Sequence, residues 1–496
     1  MSLRVSACTE ACRAAVDRAE ALGVYAVIRL QDKVERAIGV VNGRTDLKSV
    51  EEVSGVGVQV FTEDWLSGFA SSDIVTPGSL VDLVESAARL ARESRAYGPE
   101  PAEGIARVRP LVAHVERAVS MGMDAIGHDE ESGLVAGICR MTMEIDSRLA
   151  VRTFYRIVDE EWRIVRSDGG DVMFSMPRAA VMNMITARSD GQAASVNASL
   201  SGEDASVIAS PEGRLRLHKR TAKAARTALA LLGAPRARAG SYRIVIDYAL
   251  AKGLAHEAFG HAAESDCMET SILAREGRLR AGERVAADIV TIVDGPLEGD
   301  YAYQPISANG VLRETVEIVK GGVLMRALAD VFSAQQAGVP VTGAGRAESF
   351  RHVPVPRMSN IRITVDDPLP MDLAFEDVTP QDVRDCLARA GLLLEGAPVL
   401  YLSGYKGGQV NPAKGDFVFN CSAIYELTPN DIRLCQPAIF SGKVLSALGS
   451  IIAGIGRPIL DAMGTCGKAG QSVPSSGGGN MFLVIDANEE ITIGGV

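Results

Sequence analysis

The chain has 496 residues, of which 47% are hydrophobic and 23% charged. These are ordinary globular proportions and exclude a largely disordered chain. The length suits about two to four domains and a core that needs no disulfide or metal staple. Lys and Arg number 51 against 62 Asp and Glu, a net charge of −11, which argues against nucleic acid and anionic membranes as partners.

The first residues, MSLRVSACTEACRAAVDRAE, are polar and charged, unlike the apolar run of a secretory signal. A helix is expected over Thr9–Leu22 from its apolar spacing. Tyr25–Leu30, Ala37–Val41, Val56–Phe61 and Leu66–Ala70 then read as short strands of an antiparallel meander. Pro77 and Gly78 open a second helix, in which Leu80, Leu83, Val84, Ala87, Ala88 and Ala91 form an apolar stripe. Arg95–Arg107 reads as a connecting loop, and Leu111–Met123 and the region after it carry a weak helical pattern.

Arg148–Val158 and Trp162–Arg166 read as a hairpin turning at Asp159–Glu161, and SDGGD marks a further turn. A helix over Glu212–Leu232 stops at Gly233, with Pro235 behind it. The segment GAPRARAG, Gly233–Gly240, is the best boundary in the chain. It divides residues 1–235, expected as an α+β domain of antiparallel sheet with helices, from residues 236–496, expected as a β-rich domain.

In that second part, strands are expected at Tyr242–Ile246, Asp288–Val293, Asn360–Val365, Val399–Leu402, Phe417–Leu427 and Met481–Asp486, with a hairpin at Gly321–Gly322. Helices are expected at Thr379–Ala390 and Ser441–Ile455, and a loop at Ser475–Gly479. The apolar run between Lys443 and Arg457, VLSALGSIIAGIG, is shorter than the ~20 residues a membrane span needs. The eight cysteines are scattered without a CxxC pair, as free thiols of a cytoplasmic protein are.

Chemistry concentrates in Leu254–Asp266, LAHEAFGHAAESD, which holds two of the six histidines. His256, Glu257 and His261 resemble the HExxH zinc pattern, in which two His on one helix face bind metal and the Glu activates water. Here the spacing is HExxxH. Five residues of regular helix turn ~500° and leave the two rings ~140° apart. Convergence therefore requires local underwinding, such as a π-bulge, and Gly260 is placed to permit it. The bland alternative is a chance meeting of two imidazoles and a carboxylate on one helix.

A zinc site needs a third protein ligand. Glu264, Asp266, Glu269 and Cys267 are close in sequence, and Cys466 is the remote choice. Cys466 lies in GTCGKAGQSVP, Gly464–Pro474, a Gly-bracketed stretch that reads as a loop, whereas Cys421 lies in an apolar run. Lys468, two residues on, would favour the thiolate. An ordinary free thiol is the alternative for each cysteine. Asp266 is a further candidate for orienting a ligand His.

HEAFGH together with GTCGKAGQSVP resembles the TldD/PmbA (TldD/TldE) family of zinc metallopeptidases. TGAGRAESFRHVPVPRMSN at Thr342–Asn360, GGQVNPAKGDFVF at Gly407–Phe419, GVGVQVF with GFASSD over Gly55–Asp73, and the closing ITIGGV agree with it. The resemblance is weakest over Ala96–Val207. One branch of the family keeps HExxxH and the C-terminal Cys, and this chain is similar to that TldD branch. The resemblance implies Zn2+ held by His256, His261 and Cys466, with Glu257 as general base.

It also implies an α+β N-terminal domain, a β-rich C-terminal domain carrying the metal, and a heterodimer with a TldE/PmbA-like sister subunit that admits short or unfolded peptides. The chain departs from the family's GLEGD at Ala262, Ala263 and Ser265, and has Asn411 where Asp is common. These departures leave open a second reading, a metal-dependent amide hydrolase or tailoring enzyme acting on a small specialised metabolite or its peptidyl precursor. A non-catalytic scaffold is the third, and it leaves the complete His256, Glu257, His261 and Cys466 set without a role.

The remaining polar and sulfur residues carry structural expectations. Arg351 and Arg357 are read first as ion-paired and second as binders of a substrate carboxylate. His352 is a loop or interface residue. His114, His128 and His218 are surface or helix-face residues. Met141, Met143, Met173, Met176, Met182 and Met184 are core or packing residues. No substrate-binding residue is assigned.

Overall fold

Two large sheets follow one another along the chain. The computed structural model describes residues 5–97, 104–393 and 395–494. Part of the expected loop Arg95–Arg107 (residues 98–103) and the end of ITIGGV (residues 495–496) lie outside the described residues.

The first sheet has eight strands. At its centre Tyr25–Val41 pairs antiparallel with Arg44–Phe61 on one side and with Leu149–Arg166 on the other. These strands are longer than the sequence suggests. Gln31–Arg36 was expected to separate two strands but continues one, and Asp159–Glu161 is not a turn. The acidic triplet stays extended because Asp159, Glu160 and Glu161 pair with Val34, Lys33 and Asp32. Glu160 is buried and bound by Arg178 at 2.7 Å and by Trp162 Nε1 at 2.6 Å. Burial of a carboxylate is tolerated when its charge is paired and hydrogen-bonded, so this acidic run is interior strand.

The helices form close to their expected positions. Thr9–Ala21 and Pro77–Ser94 pack together on one face of the sheet over Ala15, Ala19, Leu80, Val84 and Ala88. Thr76 caps the second of them by accepting from Ser79 N–H. The weak pattern over Leu111–Met123 is no helix: Val112–Val115 is a strand, and the helix follows at His128–Met143. Met141 and Met184, expected as packing residues, are 52% and 43% exposed.

Pro211–Leu231 is a helix that packs against the strands Arg178–Ser189 and Gln192–Gly202 of the first sheet. The segment after it is tied to the second sheet, since Pro235 C=O accepts from Gln436 N–H and Gly240 exchanges hydrogen bonds with Ile493.

The second sheet has 13 strands and holds the larger part of the β structure. The protein is therefore α+β, with a β-rich C-terminal part that carries the candidate metal ligands. Its central strand, Gln471–Ile485, pairs with Asn360–Val365 in parallel and with Ile244–Asp247 in antiparallel fashion. SSGGG, expected as a loop, lies inside that strand, and its residues are buried. The glycines are there for space. A Cβ on Gly477, Gly478 or Gly479 would meet the carbonyl oxygens of Ile361, Ile459 and Ile363 at 1.9, 1.8 and 2.3 Å.

Ser441–Ile455 is likewise not one helix. A short helix, Val444–Gly449, leads into the strand Ile451–Ile459, where the β-branched pair Ile451–Ile452 favours extension. Among the described residues no helix is long and apolar enough to cross a membrane.

Candidate metal centre

The strand Ile244–Asp247 delivers the chain to the site. Asp247 caps the following helix, Tyr248–Gly253: one carboxylate oxygen accepts from Leu250 N–H at 3.1 Å and the other from Gly404 N–H at 2.6 Å. The helix then widens. Leu254–Gly260 is a π-helix, and the N–H of His261 donates to the carbonyl of His256. That i→i+5 bond brings the HExxxH histidines onto one side. Their ring centroids are 5.1 Å apart and their planes are nearly perpendicular at 88°.

Gly260 has φ −60°, ordinary for a helix, so its role is spatial. A Cβ there would lie 2.0 Å from Met358 Sδ and 2.9 Å from Ile361 Cδ1. Gly253 likewise lies against the Tyr405 ring, 2.9 Å from where its Cβ would be. The widened turn is thus pressed against two strands of the sheet.

Cys466 arrives from the opposite side. The stretch read as a loop is a β-hairpin: Gly464–Lys468 pairs with the beginning of Gln471–Ile485. Its two-residue turn, Ala469–Gly470, has positive φ at both positions, 51° and 72°, as a type I′ hairpin turn requires. Cys466 is 1% exposed, and its Sγ lies 3.5 Å from His261 Nε2. One donor atom each from His256, His261 and Cys466 lie within 4.8 Å of one another.

His256 is fully buried, and neither ring nitrogen has a hydrogen-bond partner. Unmet buried polar groups cost about 1–3 kcal/mol each. Burial, and then the charges of Lys252, His261, Arg357 and Arg346, hold its imidazole well below the ordinary value. The ring is therefore neutral, with a lone pair aimed at nothing the protein supplies. A metal ion answers that deficit. Two imidazoles and a thiolate suit a tetrahedral ion with one position left for water or substrate.

His261 is held by Glu264, whose Oε2 lies 3.0 Å from Nδ1. Burial opposes protonation of His261, but Glu264 and the Cys466 thiol raise it above the ordinary value. Burial would also push the Cys466 thiol up, yet the hydrogen bond to His261 and the charges of His261 and Arg357 bring it below its usual range. Arg357 Nη2 donates to the Cys466 carbonyl. Glu257 Oε2 lies 4.0 Å from His261 Nε2, on the less buried side of the cluster.

Three of the nearby ligand alternatives are placed elsewhere. Cys267 Sγ contacts Asp266 at 3.6 Å, and Glu269 is exposed. Asp266 does not touch either His among the described contacts; the orienting carboxylate is Glu264, three residues after His261 and therefore one helical turn away. Lys468 does not reach the thiol either. Its Nζ lies 2.6 Å from both Glu264 Oε2 and Asp266 Oδ1, and the charges that lower the Cys466 thiol are those of His261 and Arg357.

Arg351 is exposed and paired with Asp73 at 2.7 Å, and His352 Nδ1 bonds to Ser349 Oγ at 2.9 Å. Arg357 is fully buried and, contrary to the first expectation, makes no ion pair among the described residues; its Nε and Nη1 have no hydrogen-bond partner. His114 and His218 are exposed and His128 is half-buried.

Comparison with known proteins agrees with this geometry. Residues 239–466 match the PmbA/TldA metallopeptidase C-terminal domain and residues 26–91 match domain 1 of the same family. A metalloprotease of Methanocaldococcus jannaschii is 25% identical over 94% of this chain and 96% of its own length. A TldD homolog of Haemophilus influenzae, also a metalloprotease, is 32% identical over 57% of this chain and 54% of its own. The crystal structure of TldE from Thermococcus kodakarensis has the same fold, with a TM-score of 0.73 at 15% identity over 98% of this chain and 100% of that one.

Proposed function

Since this chain belongs to the PmbA/TldD metallopeptidase family and is a metal-dependent hydrolase, we propose that it cleaves peptide bonds of short or unfolded peptides with a zinc ion held by His256, His261 and Cys466. The observation that carries the assignment is the fully buried His256 ring with two unpartnered nitrogens, within 4.8 Å of His261 and Cys466 donors. When bound, zinc supplies Lewis acidity, polarising the scissile carbonyl and acidifying water.

The protein supplies the rest. Glu257 follows His256 directly in the chain, and its carboxylate stands 4.0 Å from His261 Nε2. There it takes the proton of the attacking water on one oxygen and passes it to the leaving amine nitrogen. Glu264 fixes the His261 ring so that Nε2 faces Cys466. The buried ligands exclude bulk water, while the Glu257 side chain, 26% exposed, marks the open side from which a substrate approaches.

The sequence departures do not favour the small-metabolite reading. Ala262 and Ala263 are fully buried in the core. Asn411 caps its own turn by accepting from Ala413 and Lys414 N–H at 3.1 and 3.2 Å. Ser265 is buried with its Oγ 2.6 Å from Ser333 Oγ. None of these four supplies a donor to the ligand cluster, so a peptide substrate is kept. A heterodimer with a TldE/PmbA-like subunit and a cytoplasmic site of action complete the proposal; eight cysteines with no disulfide among the described residues suit a reducing compartment.

The test is Glu257→Gln, assayed by mass spectrometry on short unfolded peptides and by metal analysis. The variant is expected to keep its zinc and lose hydrolysis. Retained hydrolysis would overturn the role given to Glu257, and a wild-type chain without zinc would overturn the site.

A further inference from the structure

We propose that Lys468 is a positioning residue for the metal centre: it anchors Glu264, which in turn holds His261 with Nε2 directed at the metal. The inference rests on the zinc site proposed above.

Three observations carry it. First, Lys468 Nζ lies 2.6 Å from Glu264 Oε2, 2.6 Å from Asp266 Oδ1 and 3.3 Å from the Pro356 carbonyl. Three acceptors match the three donors of an ammonium group, so the head is fixed from three directions. Second, the same oxygen, Glu264 Oε2, accepts from Lys468 and lies 3.0 Å from His261 Nδ1. A carboxylate only accepts, so Nδ1 carries a proton, and Nε2 is the ring nitrogen left to face a metal ion. Third, Glu264 is fully buried, and its other oxygen has no partner. Its bound oxygen is held between His261 and Lys468. With the Lys468 head removed, the carboxylate loses its anchor and is free to turn away, and the constraint on the ring goes with it.

The hairpin explains why this lysine is two residues from Cys466. Alternate residues of a strand share a face, so Gly464–Lys468 delivers the thiol and the ammonium together. Cys466 meets His261 at Nε2, and Lys468 reaches the carboxylate behind Nδ1. One strand thus approaches both sides of one imidazole. It fixes the metal ligand and the orientation of its neighbour in a single register.

Zinc affinity of the full-length protein, measured by competition with a chromophoric chelator, tests this without any turnover assay. Lys468→Met is expected to weaken zinc binding by about 10–100-fold, the usual cost of losing a group that orients a ligand. Lys468→Arg is expected to restore most of it, and Asp266→Asn to leave it nearly unchanged, because Asp266 does not contact His261. With cobalt in place of zinc, the thiolate-to-cobalt absorption should persist in Lys468→Met while the ligand-field bands move, as Cys466 stays bound and the His261 ring shifts. If Lys468→Met does not fold, Lys468→Gln, polar, uncharged and one bond shorter, carries the same expectation.

A folded Lys468→Met or Lys468→Gln variant with wild-type zinc affinity overturns the proposal. Equal losses in Asp266→Asn and Lys468→Met overturn it too, since they would make the effect a general disruption of this cluster rather than the loss of the Glu264 anchor. A wild-type chain that binds no zinc fails the metal site itself, which is a different result from either.

Discussion

The backbone N–H of His261 donates to the carbonyl of His256, and this one bond reconciles an HExxxH spacing with a metal site. On a regular helix the two rings would diverge by ~140°. The wider turn brings their centroids to 5.1 Å. The widened segment is pressed against Met358 and Ile361 through Gly260 and against Tyr405 through Gly253, so the tertiary packing supports a turn that isolated helix geometry disfavours.

Gly260→Ala therefore should damage the site without touching a ligand. The new methyl would stand 2.0 Å from Met358 Sδ, and overpacking a tight interior costs about 1–3 kcal/mol. Thermal denaturation should show a lower midpoint, and zinc content should fall because His261 is the next residue. The double variant Gly260→Ala, Met358→Ala, which opens the space, should recover part of both. No recovery would mean that the glycine serves the turn in some other way than by its lack of volume.

Cys466 and Cys421 make a matched pair, being 1% and 2% exposed in the same core cluster. Cys466→Ser should lose most of its zinc on dialysis, whereas Cys421→Ser should retain it. Both substitutions bury a hydroxyl and carry a similar folding penalty, so the difference between them isolates ligation. Equal zinc in the two variants would remove Cys466 from the ligand set.

The parts of the site that the sequence displays are those that act through residue type. His256, Glu257, His261 and Cys466 stand out because few alternatives share their chemistry and spacing. The underwound turn was also legible, since the spacing is otherwise unworkable. What was not legible depends on partners distant in the chain. Ser475–Gly479 looks like a loop until Ile361, Ile363 and Ile459 are seen to press on it. Asp159–Glu161 looks like a turn until Arg178 and Lys33 are placed beside it. Asp266 and Glu264 look equivalent near His261, and only the end of the π-helix and the short turn after it decide that Glu264 faces the ring. Long-range contacts override local propensity at each of these places.

Asp300 provides a pH test independent of the metal. Burial, against hydrogen bonds from Ser476 and the Ala302 N–H, pushes its carboxyl from 3.8 up to about 6. An acid whose folded pKa is raised binds its proton more tightly in the native state. Its stabilising contribution is complete below the unfolded value and is lost as pH rises through the folded one. The wild type should therefore lose up to about 3 kcal/mol of stability between pH 4 and 7 from this group. Asp300→Asn is neutral throughout and can still accept from Ala302 N–H. Its midpoint relative to wild type should rise across that interval in urea unfolding at fixed temperature. A difference that stays constant with pH would show that Asp300 does not titrate there.

We propose that residues 1–235 and 236–496 are two domains that nonetheless unfold as one cooperative unit. Arg220, on the helix Pro211–Leu231, reaches Glu376 and Asp461 in the second part at 2.8 Å each, while its third nitrogen donates to Ser199 C=O at 2.9 Å. Ala423 of the second sheet is buried among Ala225, Ala228 and Leu231 of the first part. Gln31 Oε1 accepts from the Phe350 N–H at 3.0 Å, and Arg29 Nε donates to the Ala308 carbonyl at 2.6 Å. These contacts join the parts by both apolar burial and satisfied charges, leaving little surface to separate cheaply. Arg220→Met keeps the bulk of the side chain but leaves Glu376 and Asp461 to the more exposed Arg216, at 3.4 and 2.9 Å, and breaking a buried pair costs up to about 3–5 kcal/mol. Calorimetry of the wild type should show one transition, and Arg220→Met should move that transition down without splitting it. Two resolved transitions in the wild type would establish independent domains instead.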